Sequence, residues 1–277
     1  MNTPLTVVKL GGSLDDPTGL LDDIAAHAGR LLLVHGAHRV LDTLGVRLGH
    51  PPRFVTSERG ATSRYTDATA MDHFLMAYCG LVNKRLVQQL LGRGVTAVGL
   101  CAMDAGMVRG RRRSTLRVRE AGRTLVLHGD HAGSIEHVDT TVPERLLEAG
   151  WLPVICPPAL GDDGVPINVD GDRLAAALAI ALGADRLMIF SDTAGFLADP
   201  ADPGSTVGRA TASDIDALAD SAHGRARVKL AAVASALAGG VGDVGLCDGR
   251  GAHPLVEALA GAGTWFAASR PAPAAFG

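Results

Sequence analysis

Residues 7–14 read VVKLGGSL, an apolar run that ends in a lysine and two glycines. Unbroken valine and leucine suit a strand buried on both faces. The lysine is the anomaly. Among 26 basic residues only Lys9, Lys84 and Lys229 are lysines; all the others are arginine. A chain that uses arginine almost everywhere keeps a compact ammonium at the end of its first strand. Beside it stand glycines, whose backbone N–H groups can approach an anion closely.

Outward from this stretch, short apolar runs alternate with helical ones. LTVVKL (5–10), LLLVHG (31–36), VTAVGL (95–100), WLPVIC (151–156), RLMIF (186–190) and VGDVGL (241–246) read as strands, the last closing the series. GLLDDIAAHAG (19–29), a long stretch over 67–91 with Thr66 as N-cap, GDRLAAALAIALG (171–183) and the segment 214–238 read as helices. Such alternation predicts an α/β fold with a mainly parallel sheet covered on both faces. LRVREAGRTLVLHGD (116–130) interrupts the pattern as a β-hairpin with Ala121 and Gly122 near its turn. A boundary near 158–166 divides an N-terminal lobe (1–160) from a C-terminal lobe (161–269). DPADPGS (199–205) and the tail RPAPAAFG (270–277) read as mobile.

Composition excludes several classes. The 277 residues are 47% hydrophobic with a mean hydropathy of +0.20, yet no apolar run approaches the ~20 residues that span a bilayer. No basic region followed by a long apolar stretch opens the chain, so no secretory leader is expected. Cys79, Cys101, Cys156 and Cys247 form no C-x-x-C pair, which points to reduced thiols in a cytoplasm and against zinc. His128, His131 and His137 have no standard metal-ligand spacing and read as surface residues. No G-x-x-x-x-G-K-[ST] occurs, against a P-loop, and no G-x-G-x-x-G follows the first strand, against a dinucleotide fold.

Charge is unevenly spread. The net charge is −3, but seven arginines and one acid lie between Arg109 and Arg123, a local excess of +6. One reading is a solvated face; another is a docking surface for an anionic partner. No aromatics are interleaved with the arginines, which argues against nucleic acid.

VVKLGGS, LLLVHGA, TSRYTD, INVDGDRLAAALAIALGAD, IFSDTAGFL and GRARVKLAAV together, in this order and spacing, resemble the amino-acid kinase family, to which acetylglutamate kinase belongs. LGHPPRF (48–54), SRYTD (63–67) and GLVNKRLVQQLL (80–91) resemble one branch of it. That branch phosphorylates the side-chain carboxylate of 2-aminoadipate or glutamate attached to an amino-group carrier protein. The resemblance implies an open αβα sandwich of two lobes, with the acceptor in the N-terminal lobe and ATP, accompanied by Mg²⁺, in the C-terminal lobe. It implies a small acidic carrier as partner and a homodimer. With the first strand entered by residue 5, no larger ring is expected.

The resemblance also assigns roles. Lys9 and Lys229 would converge on the transferring phosphoryl group, organised by Asp172. Backbone N–H groups at Gly11, Gly12, Gly36 and Ala37 would hold phosphate. Arg64 would grip the substrate's α-carboxylate and Asn168 its amino-acid moiety, while Ser191, Asp192 and Gly195 would touch nucleotide. Arg109, Arg111, Arg112, Arg113, Arg117 and Arg119 would dock the carrier from a projecting basic hairpin, about 109–130. Lys84 reads as a solvated helix residue. Blander readings stay open: surface ion pairs for the two lysines, a helix cap for Asp172, a salt bridge from Arg64 to Asp67, a strand cap at Ser191 and Asp192. Two departures from the family stand out. Ala37 and His38 replace small glycine-like residues, so a positive φ at Ala37 would carry strain. The segment before Lys229 reads GRARVK. They leave a free N-acetyl-L-glutamate kinase, or an idle ligand-binding homologue, as alternatives.

Overall fold

The computed structural model describes residues 3–267 except 59, 61, 121, 122, 200, 203 and 223. The chain starts with β1 (Leu5–Leu10), α1 (Thr18–Ala26), β2 (Arg30–His35) and α2 (His38–Arg47). Strands β3 (Arg53–Ser57) and β4 (Thr62–Tyr65) lead into α3 (Ala68–Leu75), a π-helical segment (Met76–Val82) and α4 (Asn83–Leu91). There follow β5 (Ala97–Cys101), β6 (Val108–Arg112), β7 (Thr115–Glu120), β8 (Arg123–His128) and β9 (Gly133–Val138). Then come α5 (Thr141–Glu148), β10 (Leu152–Cys156), β11 (Ala159–Gly161), β12 (Pro166–Ile167), α6 (Gly171–Ala181) and β13 (Arg186–Ser191). The last elements are β14 (Arg209–Thr211), α7 (Ile215–Ser221), α8 (Arg225–Ala238), β15 (Asp243–Asp248), α9 (Pro254–Leu259) and β16 (Thr264–Ala267).

Eight strands form the central sheet in the order β14-β16-β15-β13-β1-β2-β10-β5. All its pairings are parallel except β15 with β16. Alternation along each strand feeds two cores. Val7, Leu32, Val34, Leu187 and Ile189 pack with Leu174 and Leu178 of α6 and Leu230 and Val233 of α8. Val8, Leu10, Leu31, Leu33, Met188 and Phe190 pack with Leu20 and Leu21 of α1, Leu86 and Leu90 of α4 and Leu255 of α9. The expected αβα sandwich is therefore observed, and strand parity has a consequence for the lysine. Lys9 shares the Leu5–Val7 face, so it is delivered toward α6 and α8.

Four expectations need correction. The helix cap before α3 is Asp67, whose side chain accepts from the Ala70 N–H; Thr66 is buried instead. The helical stretch over 67–91 contains the π segment. The series does not close at VGDVGL, because α9 and the short β16 follow it. The arginine cluster is split between two small sheets. Arg109, Arg111 and Arg112 lie in β6, within the sheet β12-β11-β6-β9; Arg117 and Arg119 lie in β7, within β4-β3-β7-β8. The hairpin is β7–β8 alone, registered from Thr115↔His128 to Glu120↔Arg123, and its turn at 121–122 lies outside the described residues, as does the tail 270–277. All four cysteines are free. No helix among the described residues is long and apolar enough to cross a membrane.

Candidate active site

A cavity of about 630 Å³ opens where β1, β2 and β13 end against α2, α6 and α8. At its floor the Lys9 ammonium lies 2.6 Å from Asp172 Oδ1, and the Lys229 ammonium donates to Asp172 Oδ2 at 3.3 Å. The three side chains are 9, 17 and 8% exposed for Lys9, Lys229 and Asp172, so this is a buried cluster and not a pair of surface salt bridges. Asp170, not Asp172, caps α6: its Oδ1 accepts from the N–H groups of Asp172 and Arg173. That leaves the Asp172 carboxylate for the lysines. Burial alone would raise its pKa, but the two ammonium charges prevail and draw it down to about 2. Lys229 is pulled below its usual value by burial, against the pull of Asp172. A buried ammonium of this kind gains when an anion arrives.

Glycines let three backbone segments meet above the lysines. A Cβ on Gly11 would stand 2.8 Å from the Phe190 carbonyl oxygen, and one on Gly12 would stand 2.7 Å from the Ala37 nitrogen. Gly36 donates to the Leu10 carbonyl at 3.0 Å. Ala37 takes φ −151°, so the strain that a positive φ would impose does not arise. Ser191 is buried and its hydroxyl lies 3.1 Å from that of Thr193, while Asp192 and Gly195 also line the cavity.

On the opposite wall, Arg64 pairs with Asp42 and stacks its guanidinium 5.0 Å from the Phe54 ring centre; the suggested partner Asp67 pairs with His50 instead. Asn168 donates to the Thr66 hydroxyl at 3.1 Å. Asp130 is buried and accepts from the backbone of Thr66 and Ala132, tying this wall together. His131, expected at the surface, is half-buried with its ring nitrogen 2.8 Å from the Pro166 carbonyl. Lys84 is exposed, yet its ammonium donates to the Gly99 carbonyl at 3.0 Å.

The structure thus brings together Lys9, Lys229, Asp172, Gly11, Gly12, Gly36, Arg64, Asn168, Ser191, Asp192 and Gly195 around one cavity. The arginines of β6 and β7 do not line it. Arg111 pairs with Glu136 and Arg112 with Asp163, whereas Arg109, Arg113, Arg117 and Arg119 are exposed and make no ion pair with a described residue. Sequence reasoning missed Asp42, the partner of Arg64, and Tyr78 and Arg225, which line the cavity. Arg225 had a signal, standing four residues before Lys229 and hence on its helix face.

His35 is fully buried behind the glycine turn, and the Asn83 amide donates to its Nε2 at 3.1 Å. Burial holds its pKa at about 4. The unfolded chain takes a proton near pH 6.5 that the folded one refuses, so stability falls as pH drops from about 6.5 toward 4, by up to about 1.4 kcal/mol per pH unit. Urea unfolding at pH 7.5 and 5.0 should therefore show a larger acid loss for the wild type than for His35→Gln. Equal losses would remove His35 as the cause.

Residues 4–247 match the Amino acid kinase family. Over 264 residues the chain is 44% identical to a LysW-aminoadipate kinase of Deinococcus radiodurans, covering 94% of this chain and 90% of that protein. It is 38% identical to an acetylglutamate kinase of Myxococcus xanthus, covering 91 and 83% of the two chains. Among solved structures it resembles the N-acetylglutamate synthase of Neisseria gonorrhoeae complexed with coenzyme A and N-acetyl-glutamate, with a TM-score of 0.78 and 25% identity. The match covers 98% of this chain and 61% of that one. With the family matched over most of its length and its fold shared, this chain belongs to the amino acid kinase family.

Proposed function

We propose that this kinase converts a carboxylate into an acyl phosphate: R–COO⁻ + MgATP → R–CO–OPO₃²⁻ + MgADP. Its acceptor is the side-chain carboxylate of 2-aminoadipate or glutamate carried by a small acidic amino-group carrier protein. The observation that carries this reading is the Lys9–Asp172–Lys229 cluster on the cavity floor. A carboxylate nucleophile is already ionised at neutral pH, so no base is needed. Phosphoryl transfer calls instead for alignment and for positive charge on the migrating group, which two ammonium ions fixed by one carboxylate supply.

The N-terminal lobe (1–160) holds the acceptor, with Arg64 exchanging Asp42 for the substrate α-carboxylate, and Asn168 reaches the amino-acid moiety from just past the lobe boundary. The C-terminal lobe (161–269) holds ATP, with Ser191, Asp192 and Gly195 beside the nucleotide. Gly12 and Ala37 offer N–H groups to the phosphates, and Gly11 and Gly36, whose N–H groups donate to the Phe190 and Leu10 carbonyls, shape the turn that lets the phosphates approach. No three His, Cys, Asp or Glu side chains among the described residues cluster to hold a metal ion, and Asp172 is already engaged. Arriving with ATP, Mg²⁺ would neutralise phosphate charge. A cytoplasmic homodimer fits the family resemblance.

Carrier dependence is supported by the similarity to the Deinococcus protein and by the exposed guanidinium groups of β7, which pair with no carboxylate among the described residues. Strand β7 pairs with β3 through Thr56↔Arg119, and β3 carries Phe54 to the cavity, which supports docking of the carrier on β7 beside the acceptor entrance. The decisive assay measures ADP release with carrier-borne 2-aminoadipate, carrier-borne glutamate and free N-acetyl-L-glutamate. Turnover on a carrier-borne acid and none on the free compound supports the reading. Brisk turnover on free N-acetyl-L-glutamate overturns it in favour of an acetylglutamate kinase, the reading that the Myxococcus relative favours. Reversing both charges (Arg117→Glu with Arg119→Glu) should raise KM for the carrier about tenfold at low salt and flatten its salt dependence, since screening acts over ~8 Å at physiological ionic strength. An unchanged KM and salt slope would exclude docking on β7.

A further inference from the structure

We propose that Arg225 is a third cation of the transfer site, gripping the terminal phosphate of the nucleotide, and that His38 is the residue that positions it. The inference rests on the kinase reading above and deepens it.

Arg225 opens α8 and His38 opens α2, directly after the Gly36–Ala37 turn. Both line the cavity, and the Arg225 guanidinium donates to His38 Nε2 at 2.9 Å across 187 positions of sequence. The bond ties the phosphate turn to the helix that bears Lys229. Arg225 stands four positions before Lys229, so one face of α8 presents both cations to the same space. Neither helix has a side-chain cap at its N-terminus, so the first backbone N–H groups of two helices converge where His38 and Arg225 meet.

The distribution of charge singles Arg225 out. Four cationic side chains line the cavity: Lys9, Arg64, Arg225 and Lys229. Lys9 and Lys229 share Asp172, and Arg64 pairs with Asp42. Arg225 alone among them makes no ion pair with a described residue, Asp170 and Asp192 included; its partner is an imidazole. Burial and the Arg225 charge lower His38 to about 4, so the ring is neutral at physiological pH. A neutral acceptor fixes the direction of a guanidinium without cancelling its charge. A phosphate entering the cavity therefore meets an oriented fork with no carboxylate to displace. His38, a departure from the glycine-like residue expected there, becomes the feature that makes this possible.

The test is calorimetric titration of wild type, Arg225→Ala, Arg225→Lys, His38→Leu and His38→Gln with Mg²⁺ and either ADP or the non-hydrolysable ATP analogue AMP-PNP. Arg225→Ala should weaken AMP-PNP binding at least about tenfold and ADP binding less than about twofold, because only the analogue carries the third phosphate. Arg225→Lys should recover part of the loss. His38→Leu should weaken AMP-PNP several-fold, and His38→Gln, which retains an acceptor, should bind nearly as the wild type. Equal effects on both nucleotides, or none, would overturn the assignment. So would a raised acceptor KM with AMP-PNP affinity intact, which would place a carboxylate on Arg225. A wild type that binds no AMP-PNP would undo the kinase reading itself, whereas tight wild-type binding unchanged in Arg225→Ala undoes only the role of Arg225.

Discussion

Lys9→Ala should lower kcat by about three powers of ten while leaving KM for ATP within a few-fold. A unit charge at ~4 Å is worth roughly 4 kcal/mol at an effective dielectric of about 20, and each 1.36 kcal/mol of barrier is about tenfold in rate. The loss falls on kcat because the charge matters most as the phosphoryl group passes between donor and acceptor. Lys9→Arg should rescue little, although it keeps the charge. The Lys9 ammonium sits 2.6 Å from Asp172 Oδ1 and can follow the phosphoryl group as it moves. A longer, planar guanidinium prefers one fixed bidentate pose on that carboxylate and carries its charge away from the ammonium position. ADP release by folded Lys9→Ala above about a tenth of the wild-type kcat would remove Lys9 from the transfer step.

Why this lysine was conspicuous in the sequence, while its neighbours were not, is a matter of range. A buried strand and its parity are local properties. VVKL therefore announced the central β1, whereas the face on which Lys9 emerges followed only once the two cores were seen. Asp172 came only through the family resemblance, since the residue by itself read equally well as a helix cap. Arg225 and His38 were harder. Their bond spans 187 positions and exists only because α2 and α8 open at the same cavity. Asp42 was invisible as the partner of Arg64 for the same reason, and the nearer Asp67 looked better on spacing alone. The arginine cluster misled in the other direction. Contiguity in sequence suggested one basic hairpin, but a strand break after Arg112 sends its halves into different sheets, where Glu136, Asp162 and Asp163 offset part of the charge.

Asp172→Asn should be the most damaging isosteric change in the protein, to stability as well as rate. The wild-type carboxylate meets Lys9 through Oδ1 and Lys229 through Oδ2. An amide has no charge and turns its N–H₂ toward one of two ammonium groups, so a donor faces a donor. Removing the anion from such a buried cluster costs about 3–5 kcal/mol, because both cations stay desolvated and now repel. The pH dependence follows from the sign of the Asp172 shift. Its folded pKa, about 2, lies below the unfolded 3.8, so its contribution is complete above pH 3.8 and is lost only as pH falls through 2. The gap between wild type and Asp172→Asn should therefore hold steady from pH 8 to 5. Nucleotide gives the sharper check. A bound triphosphate supplies the anion that the variant lacks, so MgATP should raise the Tm of Asp172→Asn by more than it raises that of the wild type, even as turnover stays low. A smaller nucleotide-induced rise in the variant would mean that the two lysines do not face the phosphates, and the transfer chemistry assigned to this cavity would fall with them.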